Sequence, residues 1–288
     1  MKIFRWMQFV QNSHKHGNKS EYMIKNSWFW IGLSIRLILI LFLTPTIQSE
    51  WFTPFLLNTI ETVSINPWSD FLASDGYQHS FPYGISMIVA FLPLGVLGWI
   101  TDLFLATESY MFGLGLGITV LIFDFLCLVK IQKIVTEYRD KILIAYWLSP
   151  LVIYITYWHG QLDIIPVMLM MAAFQQAGEK NFTISGLLLA IACSAKLSMF
   201  LVAPFFIIYL WQNRRLRSQI GKFLLSFSIV VIILILIPSF SLGYRDMVLG
   251  TPEASRLFWL SVRQSDQLYI YIVPLLFGFI VYGMWRLR

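Results

Sequence analysis

The chain has 288 residues, of which 58% are hydrophobic and 12% charged, about half the charged share of a soluble domain. That composition excludes a soluble enzyme, since most of the length must face lipid or other helices. The formal net charge of +6 does not mark a nucleic-acid binder: the basic residues fall in short clusters between apolar runs, where they set orientation in a bilayer. Phe, Tyr and Trp make up 17% of the chain, as interfacial aromatic belts require. Cys127 and Cys193 both lie inside apolar runs and read as buried thiols rather than a disulfide.

The first 26 residues are polar and basic, with Lys2, Arg5, Lys15, Lys19 and Lys25. They read as a cytoplasmic N-terminal segment. The apolar run 27–47 starts too late and runs too long for a cleaved signal peptide, so it reads as a first anchor. A crossing helix needs about 20 apolar residues for a hydrocarbon layer of about 30 Å. Run 81–105 is apolar but holds Pro82, Pro93 and three glycines. Run 110–129 is a clear span. Runs 142–158, 164–177, 182–195 and 197–211 are shorter, and runs 223–240 and 267–285 complete the series.

The charges between the runs set the orientation. Residues 48–108 hold no Lys or Arg but carry Glu50, Glu61, Asp70, Asp75, Asp102 and Glu108, the signature of an outside loop. Lys130, Lys133, Arg139 and Lys141 mark an inside loop, and Arg214, Arg215, Arg217 and Lys222 another. These signs agree throughout if 81–105 is re-entrant or interfacial on the outer side, its prolines and glycines breaking the helix. The expectation is an all-α polytopic membrane protein with about eight full spans, both termini inside, and one large outer loop, 48–108. Nine spans is the alternative. Residues 27–288 read as a single transmembrane domain, and the setting as a bacterial inner membrane rather than the endoplasmic reticulum.

The sharpest polar constellation is Trp158-His159-Gly160-Gln161-Leu162-Asp163, at the outer junction of two apolar runs. Gly160 permits a tight turn. Asp163 falls at a helix N-terminus, where the bland reading is a cap and the functional one a held carboxylate. Lys196 falls at the outer ends of two runs. There it either snorkels or holds a phosphate. Arg256 and Arg263 add two more cations in the second outer loop, 241–266. Glu50 and Asp70 are acids at the outer interface and candidate general bases. Arg36 and Asp124 lie inside spans at similar depth, which predicts a buried ion pair.

The order of these elements resembles the GT-C integral membrane glycosyltransferases that use polyprenyl-phosphate sugars. The resemblance rests on a first span, an acidic outer loop with Asn66-Pro67-Trp68 and Phe81-Pro82-Tyr83-Gly84, then His159-Gly160-Gln161-Leu162-Asp163 at an outer turn. It continues through Ser185-Gly186-Leu187 and Ala195-Lys196 to Ala203-Pro204. Where that group carries Asp-x-Asp or a lone Asp after the first span, this chain has Ser49-Glu50. The resemblance implies a GT-C-like helical bundle that moves a sugar from a polyprenyl-phosphate donor to a lipid-linked glycan or similar acceptor on the non-cytoplasmic face. Glu50, with Asp70 as its rival, would be catalytic. His159, Gln161, Asp163, Lys196, Arg256 and Arg263 would bind substrate. No cofactor is implied and no residue pattern indicates a metal. The partners would be donor, acceptor and membrane lipids. The alternative is a transporter or flippase, for which only Arg36 and Asp124 supply mid-membrane polar groups and no inverted repeat is visible.

Overall fold

Hydrocarbon offers no partner for backbone N–H and C=O groups, so a chain this apolar must satisfy them within each segment, and helices do so. The computed structural model describes residues 24–135, 138–252, 256–264 and 269–286, and it is nearly all-α. Most of the N-terminal segment expected to be cytoplasmic, residues 1–23, lies outside the described residues. Helix α1 is Ser27–Phe42, started by Asn26, whose side chain accepts from the Trp28 N–H at 3.0 Å. Next come α2 (Thr53–Thr62), α3 (Pro67–Ala73), α4 (Ile85–Leu105) and α5 (Tyr110–Ile134). The short helices α6 (Arg139–Ile142) and α7 (Pro150–Ile153) each run on into a π-helical turn, Leu143–Trp147 and Tyr154–Trp158. Then follow α8 (Ile164–Gly178), α9 (Phe182–Ala195), α10 (Ala203–Gln212), α11 (Ile220–Val231), α12 (Leu242–Tyr244) and α13 (Ile272–Arg286).

The apolar helices make this a membrane protein. Three helical stretches have the length and composition of a membrane span: Ile85–Leu105, Tyr110–Ile134 and Arg217–Phe240. A fourth arises if the pair Asp140–Trp147 and Pro150–Trp158, bent by 41°, counts as one. Five more apolar helices have between 10 and 17 residues. The longest of these at about 1.5 Å per residue falls short of the hydrocarbon thickness.

Three differences from the sequence reading have local causes. Run 142–158 is not one straight helix. Pro150 cannot donate to the preceding turn, and the Ser149 hydroxyl accepts from the Val152 N–H at 3.4 Å, so a new helix starts there. Run 81–105 is not broken: α4 is continuous over 21 residues with Pro93 inside it. Its glycines serve packing instead of breakage. A Cβ on Gly98 would strike the Met111 carbonyl oxygen, and one on Gly115 of α5 would strike the Leu94 carbonyl oxygen, so the two backbones touch at small residues. Finally, the second acidic-side loop carries a two-stranded antiparallel ribbon, Ser261–Arg263 against Tyr269–Tyr271. The β-branched and aromatic Tyr-Ile-Tyr takes the strand, so the last helix starts at Ile272 rather than 267.

The ends of the helices sort into two groups. Asn26 donates to the Asp140 carboxylate at 2.8 Å, joining the start of α1 to the start of α6. The Tyr110 hydroxyl donates to the Leu41 carbonyl at 3.0 Å, joining the end of α1 to the start of α5. Helices α9 and α11 lie side by side and point the same way, with Gly186 under the Phe223 carbonyl and Ser194 bonded to the Leu234 carbonyl at 3.4 Å. Helix α4 is tied at both ends. Its C-terminal turn leads through Asp102, which accepts from the Met111 and Phe112 N–H groups, into α5. Its N-terminal side presents Tyr83 to Phe52, ring centroids 5.7 Å apart.

The expected pair Arg36–Asp124 is made. Arg36 Nε lies 2.7 Å from Asp124 Oδ2, with both side chains 0% exposed. The Tyr146 and Tyr157 hydroxyls donate to the same carboxylate at 2.6 and 2.8 Å. Arg36 Nη1 donates to the Trp147 carbonyl at 2.6 Å, and its guanidinium lies 3.8 Å from the Trp147 ring centroid. A buried charge survives only when paired and hydrogen-bonded, and here four segments meet to do it. Gly32 leaves room for the Trp147 ring, and the Trp147 N–H donates to the Phe29 carbonyl at 2.9 Å.

Arg36→Met should lower stability in detergent by roughly 3–5 kcal/mol, since Asp124 is left charged and without its cation. Adding Asp124→Leu should return only part of that loss, because the buried Tyr157 hydroxyl then lacks an acceptor, at about 1–3 kcal/mol. Thermal unfolding of the three proteins measures this, and a double variant no better than the single one would mean that the pair is not what holds these helices.

Candidate functional site

A turn, a loop and a helix end build the site. The π-helical turn Tyr154–Trp158 ends at His159, and the chain then reverses at Gly160, which sits at φ 86°. L side chains rarely adopt that conformation, and a Cβ here would also strike Pro45, so glycine is required twice over. Gln48 donates to the Gly160 carbonyl at 3.4 Å, tying the reversal to the segment after α1. Helix α8 starts after Asp163. Its carboxylate does not cap the helix; both of its oxygens lie 2.6 Å from Lys196 Nζ.

Lys196 is in extended backbone between α9 and the 3-10 turn Leu197–Val202. Ala195 before it is fully buried, so the lysine reaches out from the tip of a buried helix. The pair is partly exposed, Lys196 by 31% and Asp163 by 40%. The Tyr83 hydroxyl completes the cluster, 3.3 Å from Asp163 Oδ1 and 3.4 Å from Gln161 Oε1, with its ring 5.8 Å below the ammonium. Gly84 lets this segment seat closely, since a Cβ there would strike the Ser194 carbonyl oxygen. Beside it is the buried Tyr244 hydroxyl, with no hydrogen-bond partner among the described residues and its pKa pushed up to about 12 by burial. This phenol stays neutral at physiological pH.

Of the residues singled out from sequence, Gln161, Asp163 and Lys196 are brought together. His159 is exposed and its ring stacks on Tyr154, centroids 6.3 Å apart, away from any bond to the cluster. Glu50 lies in the π-helical turn Gln48–Phe52. Gln48 and Phe52 face inward and are buried, while Glu50, on the opposite face, is exposed and makes no hydrogen bond or ion pair among the described residues. Its neighbours nevertheless touch the cluster from two sides, Gln48 at Gly160 and Phe52 at Tyr83. Asp70 is exposed in the first turn of α3. The Asn66-Pro67-Trp68-Ser69 element beside it has a visible structural task. Ser241 donates to Asn66 at 2.8 Å, the Gly243 N–H donates to Ser69 at 3.2 Å, and Trp68 meets Tyr244 edge-on at 4.8 Å, so the two acidic-side loops are joined. Arg256 lies over Trp259 at 5.6 Å and Arg263 is on the ribbon. Neither contacts the Asp163–Lys196 pair.

A cleft lies between the end of α1, the start of α5 and the turn Tyr154–Trp158, and none of Tyr83, Gln161, Asp163 and Lys196 lines it. Its lining mixes polar residues, Thr44, Gln48, Ser49 and Thr156, with apolar ones, Ile40, Leu43 and Val120. Among the described residues no group of three or more His, Cys, Asp or Glu side chains gathers as a metal site requires.

Tyr83 is the residue that sequence reading placed in a motif without giving it a role. Its signal was the Phe-Pro-Tyr-Gly element before a long apolar helix, since a buried phenol needs a partner for its hydroxyl. No protein-family model matches the chain, and neither a curated protein nor a solved structure matches it.

Because the Asp163–Lys196 pair is about a third exposed, solvent screens it, and pairs of this kind contribute up to about 1 kcal/mol. Lys196→Met should therefore leave the unfolding temperature nearly unchanged. A large drop would show that the pair is a structural brace rather than a site.

Proposed function

We propose that the chain is a glycosyltransferase of the GT-C kind. It would move a sugar from a polyprenyl-phosphate donor to a lipid-linked glycan or similar acceptor on the non-cytoplasmic face of a bacterial inner membrane. The observation that supports this best is the cluster of Asp163, Lys196, Tyr83 and Gln161, partly open, at the ends of apolar helices. A donor with an apolar tail and an anionic, sugar-bearing head needs that juxtaposition of lipid-facing helix and polar pocket.

The same reading carries an orientation with eight crossings and a cytoplasmic N-terminus, in which the five shorter apolar helices cross where the bilayer thins or where they line a cavity. Support comes from the two groups of helix ends: α1, α5, the bent pair, α8, α9, α10, α11 and α13 alternate between them, with Gln212 of α10 bonded to the Met284 carbonyl of α13 at 2.8 Å. Helix α4, with its C-terminal turn tied to the start of α5 through Asp102 and Tyr83 before its N-terminus packed on Phe52, is then a helix on the outer side rather than a ninth crossing. The acidic segment 48–108 falls outside and the basic clusters fall inside, as the charge rule asks.

In this reaction the acceptor hydroxyl gives its proton to a carboxylate and its oxygen attacks the anomeric carbon. The bond from that carbon to the phosphate oxygen breaks, and the electron pair leaves with the polyprenyl phosphate. Lys196 is the cation that would receive this developing charge. At rest it is held by Asp163, so the donor phosphate exchanges with one carboxylate. Asp163 and the Tyr83 hydroxyl are then released to hydrogen-bond the sugar hydroxyls. Glu50 is the proposed base, with an unpaired carboxylate on a turn whose neighbours touch the cluster. Arg36 and Asp124 are 0% exposed and closed in by two tyrosines, which speaks against a transport path through them.

The test is transfer from a radiolabelled polyprenyl-phosphate sugar to lipid-linked product, with Glu50→Gln, Asp70→Asn and Asp163→Asn compared at equal folded yield. Glu50→Gln should cut turnover by roughly 10²–10⁴-fold, the usual worth of a general base, and leave donor binding intact. Asp163→Asn should weaken both. Loss in Asp70→Asn alone would move the base there, and full activity in all three would remove the site from this cluster.

A further inference from the structure

At the opposite end of the bundle, α10 and α13 finish side by side and enclose a second pocket. It is lined by Arg214, Arg217, Arg286, Trp211, Trp285 and Asn213. The helices are joined there by the Gln212 amide, which donates to the Met284 and Trp285 carbonyls at 2.8 and 3.0 Å. The two indole rings stack with centroids 5.7 Å apart. Arg217 Nε donates to the Trp211 carbonyl at 2.6 Å and its guanidinium lies 4.9 Å from the Trp211 ring, so this arginine is fixed with its terminal nitrogens still available. None of the three arginines pairs with a carboxylate among the described residues.

Basic residues at the inner ends of spans ordinarily serve orientation, and that accounts for their sign. It does not account for three arginines lining one concavity with a tryptophan pair. Guanidinium groups bind phosphate oxygens in a planar, two-pronged way. Tryptophan at the end of an apolar helix marks the headgroup level. Basic pockets between membrane helices at this depth take anionic headgroups. We propose that this pocket binds the phosphate headgroup of an anionic phospholipid, whose acyl chains lie along α10 and α13. The site is separate from the Asp163–Lys196 cluster and does not depend on the transferase reading.

The full chain, purified in detergent, is titrated with phosphatidylglycerol or phosphatidylcholine, and retained lipid is counted by native mass spectrometry. The wild type should retain phosphatidylglycerol in preference to phosphatidylcholine. The double variant Arg214→Gln, Arg286→Gln should lose that preference by roughly thirtyfold, the order expected when two basic contacts to an anionic lipid, at about 1 kcal/mol each, are removed. Arg215→Gln removes one charge from the same connection, but Arg215 does not line the pocket, so retention should be unchanged. Equal loss in Arg215→Gln would mean diffuse charge attraction and would overturn the site, as would full retention by the double variant. Inorganic phosphate at the lipid's concentration should not displace it. Displacement would assign the pocket to free phosphate and overturn the lipid proposal.

Discussion

One buried ion pair organises the first half of the bundle. Arg36 and Asp124 meet where water cannot reach, and a charge in such a place needs a counter-charge and hydrogen bonds; all their polar atoms but Arg36 Nη2 have a partner among the described residues. The requirement recruits Tyr146 and Tyr157 to the carboxylate and the Trp147 carbonyl to the guanidinium. Those three residues belong to the two π-helical turns on either side of the Pro150 break. The wider turn of a π-helix rotates the following side chains relative to an α-helix, and in both turns an aromatic residue points at the pair. Tyr157 is then three residues from Gly160 and six from Asp163. So the same pair that locks α1, α5 and the bent segment also sets where the glycine reversal and the exposed carboxylate emerge.

From that anchor the two ends of the bundle differ in chemistry. One end carries acids, a half-open Asp163–Lys196 pair and aromatic helices joined through Phe55, Phe81, Trp68 and Tyr244. The other carries arginines and tryptophans without acidic partners among the described residues. Neutralising Lys196 with Asp163 keeps a cation ready at a place where the rest of the loops are acidic. It also explains how a lysine can stand at the end of α9 against the general charge bias of that side.

Much of this was legible in the sequence, and the limits have physical causes. Helix positions followed from the length of apolar runs, since that signal depends only on composition. Arg36 and Asp124 were paired by depth alone, because charge inside hydrocarbon has few solutions. Asp163, Gln161 and Lys196 stood out as polar residues at the ends of apolar runs. What escaped depended on packing. Glycines in α4 looked like breakers, and they are contact points with α5, a distinction that only the neighbouring helix decides. Glu50 was placed at the outer interface by its sequence distance from α1, but which face of the turn it takes was not legible; the π-helical turn buries Gln48 and Phe52 and leaves the Glu50 side chain exposed. Tyr83 joined the site across 80 residues, a separation that no local pattern encodes. The ribbon took the start of the last apolar run because Tyr269, Ile270 and Tyr271 suit a strand as well as a helix.

In the proposed function the Asp163–Lys196 cluster receives the head of a lipid-linked sugar. The most direct measurement is photo-crosslinking of the purified full chain with a photoreactive polyprenyl-phosphate sugar, followed by peptide mapping. The account predicts adducts in residues 157–163 and 194–199 that unlabelled donor suppresses. Adducts confined to residues 211–217 and 284–286, or adducts that unlabelled donor does not suppress, would contradict it.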